Sequence, residues 1–108
     1  MPEKLYRIVL DGENSIFVYV ETHNGKVTAF VVKYLATIDG EEFEILRYDS
    51  GHGVPHVDVL DPHGDTKQKI WLSDFTYKNA LVHAKKDIKE HYREYRERFI
   101  LWKKEEEQ

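Results

Sequence analysis

The sequence predicts an α+β domain in which an antiparallel meander sheet of about six strands is followed by one long C-terminal amphipathic helix. Three observations predict it. Over the first two thirds of the chain, β-branched and aromatic residues recur in short runs, as strands require. Gly, Asn and Asp punctuate those runs at hairpin spacing. From Ser73 or Asp74 onward the apolar residues recur every three or four positions, which marks a helix laying one face on a core.

The first expected strand, Leu5 to Asp11, breaks at Gly12-Glu13-Asn14, and the second, Ser15 to Thr22, breaks at His23-Asn24-Gly25-Lys26. Asn24-Gly25 is the stronger turn signal, because both residues tolerate the positive φ of a tight hairpin. Val27 to Ile38 is the longest strand, and Asp39-Gly40 turns it into Glu42 to Asp49. Strict alternation there places Phe43, Ile45, Arg47 and Asp49 on one face and Glu44, Leu46 and Tyr48 on the other. After the Gly-rich stretch Ser50 to Pro55, the short run His56 to Leu60 sets His56 and Asp58 on one face and Val57 and Val59 on the other. Asp61-Pro62-His63-Gly64 has turn chemistry and leads into a sixth strand, Lys67 to Leu72.

Leu81, Ala84, Ile88, Tyr92, Tyr95, Phe99 and Trp102 form the helical stripe, with Ser73 or Asp74 as N-cap. Asp74 to Lys104 would reach about 46 Å at 1.5 Å per residue, more than the roughly 34 Å diameter of a compact domain of this length. The aromatic end therefore needs cover. A homodimer through the C-terminal helix is the expected solution, with bending of the helix around its own sheet as the alternative. One domain spans residues 1–104, and 105–108 form a charged tail expected to fray.

With 108 residues, 41% of them hydrophobic, the chain suits one soluble globular core and not a disordered tail. Cysteine is absent, which excludes disulfides, thiolate metal sites and catalytic thiols. No apolar run is long enough to span a bilayer and Met1 to Leu10 lacks an export-signal layout, so no membrane partner and a cytoplasmic location are expected. The net charge of −4 hides an asymmetry: residues 1–77 carry 7 Lys/Arg against 13 Asp/Glu, and residues 78–104 carry 9 against 4. Lys85, Lys89, Arg93 and Arg96 follow the apolar stripe one residue behind it and form the candidate RNA-binding face. Interleaved acids make a plain solvated helix face the competing reading.

Chemistry concentrates between residues 47 and 65, where Arg47, Asp49, His52, His56, Asp58, Asp61, His63 and Asp65 fall, including three of the six histidines. Three readings compete. In the first, His56 and His52 are acid and base for metal-independent cleavage of an RNA phosphodiester. Asp58 and Asp49 orient them, while Arg47 and the Gly51–Gly53 amides hold the phosphate. In the second, His52, His56 and Asp58, with Asp49 or His63, bind a divalent metal ion; Pro55 interrupts the His-x-x-x-His spacing. In the third, Asp49, Asp61 and Asp65 make turn hydrogen bonds and the histidines are loop residues. His63 carries no catalytic role, His23 is a turn tip, and His83 and His91 are packing or surface residues. Trp71 and Trp102 are read as buried anchors.

The run Arg47-Tyr48-Asp49-Ser50-Gly51-His52-Gly53-Val54-Pro55-His56-Val57-Asp58 resembles a signature of small prokaryotic proteins in which Arg-Tyr-Asp is followed by His-Gly and His-x-Asp. More distantly it resembles the TumE-like toxins of toxin–antitoxin pairs. That resemblance implies an RNA-targeting toxin with a cognate antitoxin as partner, and it singles out Arg47, Asp49, His52, His56 and Asp58. The chain departs from the toxins in lacking their closely clustered histidines after Arg-Tyr-Asp. The function expected from the sequence is thus a toxin-like ribonuclease or RNA-binding protein. The alternatives are a noncatalytic dimeric interaction protein and a divalent-metal-binding protein.

Overall fold

The computed structural model describes residues 2–107, so Met1 and Gln108, the outer ends of the expected domain and tail, lie outside the described residues. Among the described residues six strands, β1 (Glu3–Asp11), β2 (Asn14–His23), β3 (Lys26–Ile38), β4 (Glu41–Asp49), β5 (His56–Leu60) and β6 (Thr66–Trp71), precede α1 (Tyr77–Glu106). The strands lie in one sheet in chain order, each antiparallel to the next. This is the α+β meander with a terminal helix that the period switch predicts. The Asn24-Gly25 and Asp39-Gly40 pairs all take positive φ, as two-residue hairpins of right-handed twist require. Asp61 ties the β5–β6 turn by accepting from the backbone N–H groups of His63 and Asp65 through Oδ1 at 2.9 and 3.0 Å.

The N-cap differs from expectation. Ser73 and Asp74 fall in a turn closed by Phe75 N–H donating to Leu72 O at 3.1 Å, and Thr76 caps the helix by accepting from Asn79 N at 3.1 Å. The turn uses up the two earlier cap residues to bring the chain off the β6 edge. At the other end α1 continues past Lys104 through Glu106.

One face of the sheet meets α1. Ile16, Val18, Phe30, Val32, Tyr34, Ala36 and Ile38 pack under Ala80, Leu81, Ala84, Ile88, Tyr92 and Phe99. Full burial of each large apolar side chain contributes roughly 1.5–3 kcal/mol. Three aromatic contacts fix the axis: Tyr77 on Phe30 (6.1 Å between ring centres), Tyr92 on Tyr34 (6.1 Å) and Phe99 on Phe43 (5.3 Å). The helix therefore runs along β3, in the same direction. Thirteen residues of strand reach about 43 Å, and 30 residues of helix about 45 Å. The molecule is 51 Å long and 27 Å wide. The helix does not overhang, because the longest strand gives the domain its long axis. Phe99 is buried, and Trp102 is covered by Lys67 and Arg98, so the aromatic end packs on its own chain.

Candidate functional site on the open sheet face

A β-bulge decides which side chains reach the other face. β3 and β4 pair Tyr34 with Leu46 and then Leu35 with Glu44, so Ile45 is an extra residue in β4. The bulge corrects the strict alternation expected for this strand. Phe43 joins the core with Ile45, while Arg47 and Asp49 turn to the face opposite α1. Pairing of β4, β5 and β6 then aligns Asp49, His56 and Trp71 in one cross-strand row and Arg47, Asp58 and Lys69 in the next. The two short neighbouring strands thus bring four of the five sequence-selected residues together.

His56 and Asp58 are 2% and 4% exposed, although they face away from the helix. Trp71 leans on the His56 ring with centres 5.2 Å apart, and Arg47 and Lys69 flank Asp58. His56 Nδ1 lies 3.1 Å from Val54 O. A carbonyl only accepts, so Nδ1 carries the hydrogen and Nε2 is left to face the carboxylates. It lies 3.1 Å from Asp49 Oδ1 and 3.7 Å from Asp58 Oδ2. The cations stand farther off: Arg47 Nε is 3.5 Å from Asp49, Arg47 Nη2 is 3.8 Å from Asp58, and Lys69 Nζ is 3.6 Å from Asp58. Asp58 Oδ1 and Arg47 Nε are buried without a hydrogen-bond partner among the described residues.

The glycine turn contributes backbone. Gly51 N–H donates to Asp49 Oδ1 at 2.8 Å, and a Cβ on Gly51 would meet that same oxygen at 3.0 Å. His52 is exposed, holds a left-handed φ of 66° and takes no part in the cluster of Asp49, His56 and Asp58. The cluster therefore holds His56 without His52. His63 sits on the exposed turn with Nε2 2.9 Å from Glu106.

The basic helix residues lie on the other side of the sheet from this cluster. Arg96 is tied to Asn14 Oδ1 (3.1 Å) and Thr37 O (2.9 Å), Lys85 donates to Tyr6 Oη (3.3 Å), and Arg93 stacks on Tyr92. Lys89 is exposed. Two participants in the site go unselected by the sequence reading. Lys69 lies outside the motif region of residues 47–65, and Trp71, expected as a buried anchor, is 51% exposed on the open face. Alternation within β6 was the available signal, because it gives both residues one parity in a strand that turns back from β5.

A second polar cluster sits under the helix. Asp87 accepts hydrogen bonds from Tyr48 and Tyr95 at 2.6 Å each and faces His91 Nδ1 at 3.0 Å. Burial, then the Asp87 contact, pushes both phenols well above the ordinary tyrosine value, and the Asp87 hydrogen bond raises His91. Tyr48, Asp87 and Tyr95 border a cavity of about 180 Å³ between α1 and the β4–β6 strands. The helical spacing of Asp87, His91 and Tyr95 carried that signal.

A family model for a domain of unknown function, DUF7718, matches residues 1–105. The chain belongs to that family. No curated protein and no solved structure matches this DUF7718 chain. Among the described residues of this DUF7718 domain, no helix is long and apolar enough to cross a membrane.

Proposed function

We propose that the protein binds single-stranded RNA on the open face of its sheet. The observation that carries this reading is the cross-strand row Arg7, Phe17, Lys33, Arg47, Asp58, Lys69, which crosses all six strands beside a parallel row containing Tyr19 and Trp71. Cations at strand spacing suit successive phosphates, and aromatic rings on a sheet are platforms for unstacked bases. The ion pair of Arg7 with Glu42 is half exposed, and that of Lys33 with Glu44 is partly so. Such pairs contribute about 0–1 kcal/mol, so exchanging a carboxylate for a phosphate costs little. The resemblance to TumE-like toxins supports the same ligand class and makes a cognate antitoxin a second partner of this face. Cleavage by two imidazoles is not part of the reading, because exposed His52 lies outside the cluster that holds His56.

Fluorescence anisotropy with a labelled mixed-sequence RNA 12-mer tests it. Trp71→Ala should weaken binding about tenfold, since stacking contributes roughly 1–3 kcal/mol per base. Lys33→Ala and Lys69→Ala should each lower the salt dependence, whose full log–log slope for four phosphate contacts is about −3. Lys89→Ala, on the helix side, should change nothing. Loss of binding in Lys89→Ala but not in Trp71→Ala would refute the proposal, as would absence of binding at low salt.

A further inference from the structure

We infer that Asp49, His56 and Asp58 form a binding site for one divalent transition-metal ion, with open positions toward solvent. The inference is independent of RNA binding and rests on three observations. The first is the orientation of His56. Its Nδ1–H is committed to Val54 O, so the Nε2 lone pair points between two carboxylates, where only a proton or a cation is tolerable. A backbone carbonyl behind a histidine is the usual support for a metal ligand.

The second is the unmet need of Asp58. Its carboxylate is almost fully buried, Oδ1 accepts no hydrogen bond, and its cationic neighbours stand at 3.6–3.8 Å. Charge-assisted hydrogen bonds run at about 2.7–2.9 Å. Lys69, on the Oδ1 side, and Arg47, on the Oδ2 side that faces His56, therefore offset charge from a distance, and Oδ1 is left without a donor. A buried carboxylate in that state is costly, and an ion at its mouth removes the cost.

The third is the spacing. Two ligands at about 2.0–2.2 Å from one ion, 90–109° apart, place their donor atoms about 2.8–3.6 Å from each other. Asp49 Oδ1 and His56 Nε2 are 3.1 Å apart, inside that range, His56 Nε2 and Asp58 Oδ2 are 3.7 Å apart, just beyond it, and one donor atom from each of the three residues lies within 4.8 Å of the others. One imidazole with two carboxylates suits Zn²⁺ or Mn²⁺, and three protein ligands leave coordination positions for water or a phosphate oxygen. Asp49, the least buried of the three, forms the solvent side, and the side-chain-free Gly51 keeps the approach clear.

The test uses untagged, chelator-stripped full-length protein without RNA, titrated with Zn²⁺ and separately with Mn²⁺. Bound metal and thermal unfolding are both measured. About one equivalent should bind and raise the unfolding temperature. Asp49→Asn and Asp58→Asn should each weaken uptake by at least about tenfold, while His52→Ala and His91→Ala should bind as the wild type does. Asp49→Asn, altered at the solvent side, keeps the test interpretable should Asp58→Asn not fold. No uptake of either metal at 1 mM (roughly the weak limit of specific cation sites) overturns the inference. So does undiminished uptake by Asp49→Asn, or its loss in His91→Ala.

Discussion

Asp87 shows how one partly buried carboxylate can organise a helix–sheet junction. It accepts from two phenols and a histidine, drawn from β4 and from two further turns of α1. Replacing it by alanine would leave Tyr48 and Tyr95 hydroxyls without their acceptor, and Asp87→Ala should destabilise the fold by about 2–3 kcal/mol in urea unfolding. The same contact holds His91 above its ordinary value of 6.5. A raised histidine contributes stability that is fully present below the unfolded value and fades as pH rises through the folded one. The His91 titration followed by NMR should therefore have its midpoint above 6.5, and Asp87→Asn should bring it down. At this scale the sequence was legible in identity but not in orientation. Arg47, Asp49, His56 and Asp58 are nameable from density and parity. Ile45 hides its bulge, because Ile45 and Leu46 are both apolar and their adjacency is the only trace of an extra residue.

Between elements, the decisive match is that of β3 with α1. Each is readable alone from its own period, and both sets of bounds fall within a few residues of expectation. Their relation is not readable from a spherical estimate of domain size, which makes the helix look too long. Phe99 sits where the last part of α1 closes on Phe43. Phe99→Ala should cost about 3–5 kcal/mol in chemical unfolding, as for other large-to-small core changes. A value below about 1 kcal/mol, typical of exposed positions, would mean that the end of α1 is not docked. The cap lies two or three residues beyond the expected Asp74 or Ser73 because Ser73, Asp74 and Thr76 are all competent caps, and only the turn after β6 selects among them.

Across the whole molecule, the sheet separates two chemistries. The helix side carries the positive surplus of residues 78–104, and the open side carries the histidine–carboxylate centre. A charge tally along the chain could not show this, because Arg7, Lys33 and Lys69 come from the acidic part of the sequence and converge only through strand register. With Tyr95, Phe99 and Trp102 packed in cis, sedimentation equilibrium should return the 12.9 kDa of one chain. A concentration-dependent doubling of mass would restore the helix as a dimer surface.

The unbroken strand order has a consequence for biosynthesis. Each hairpin can close as soon as its second strand leaves the ribosome, since every partner is the preceding neighbour. The cover for Phe30, Val32 and Tyr34 is translated last, so the nascent sheet shows its greasy side until Tyr77 onward emerges. Chains released early would meet one another through that side, and a stop codon before α1 should send the product into inclusion bodies.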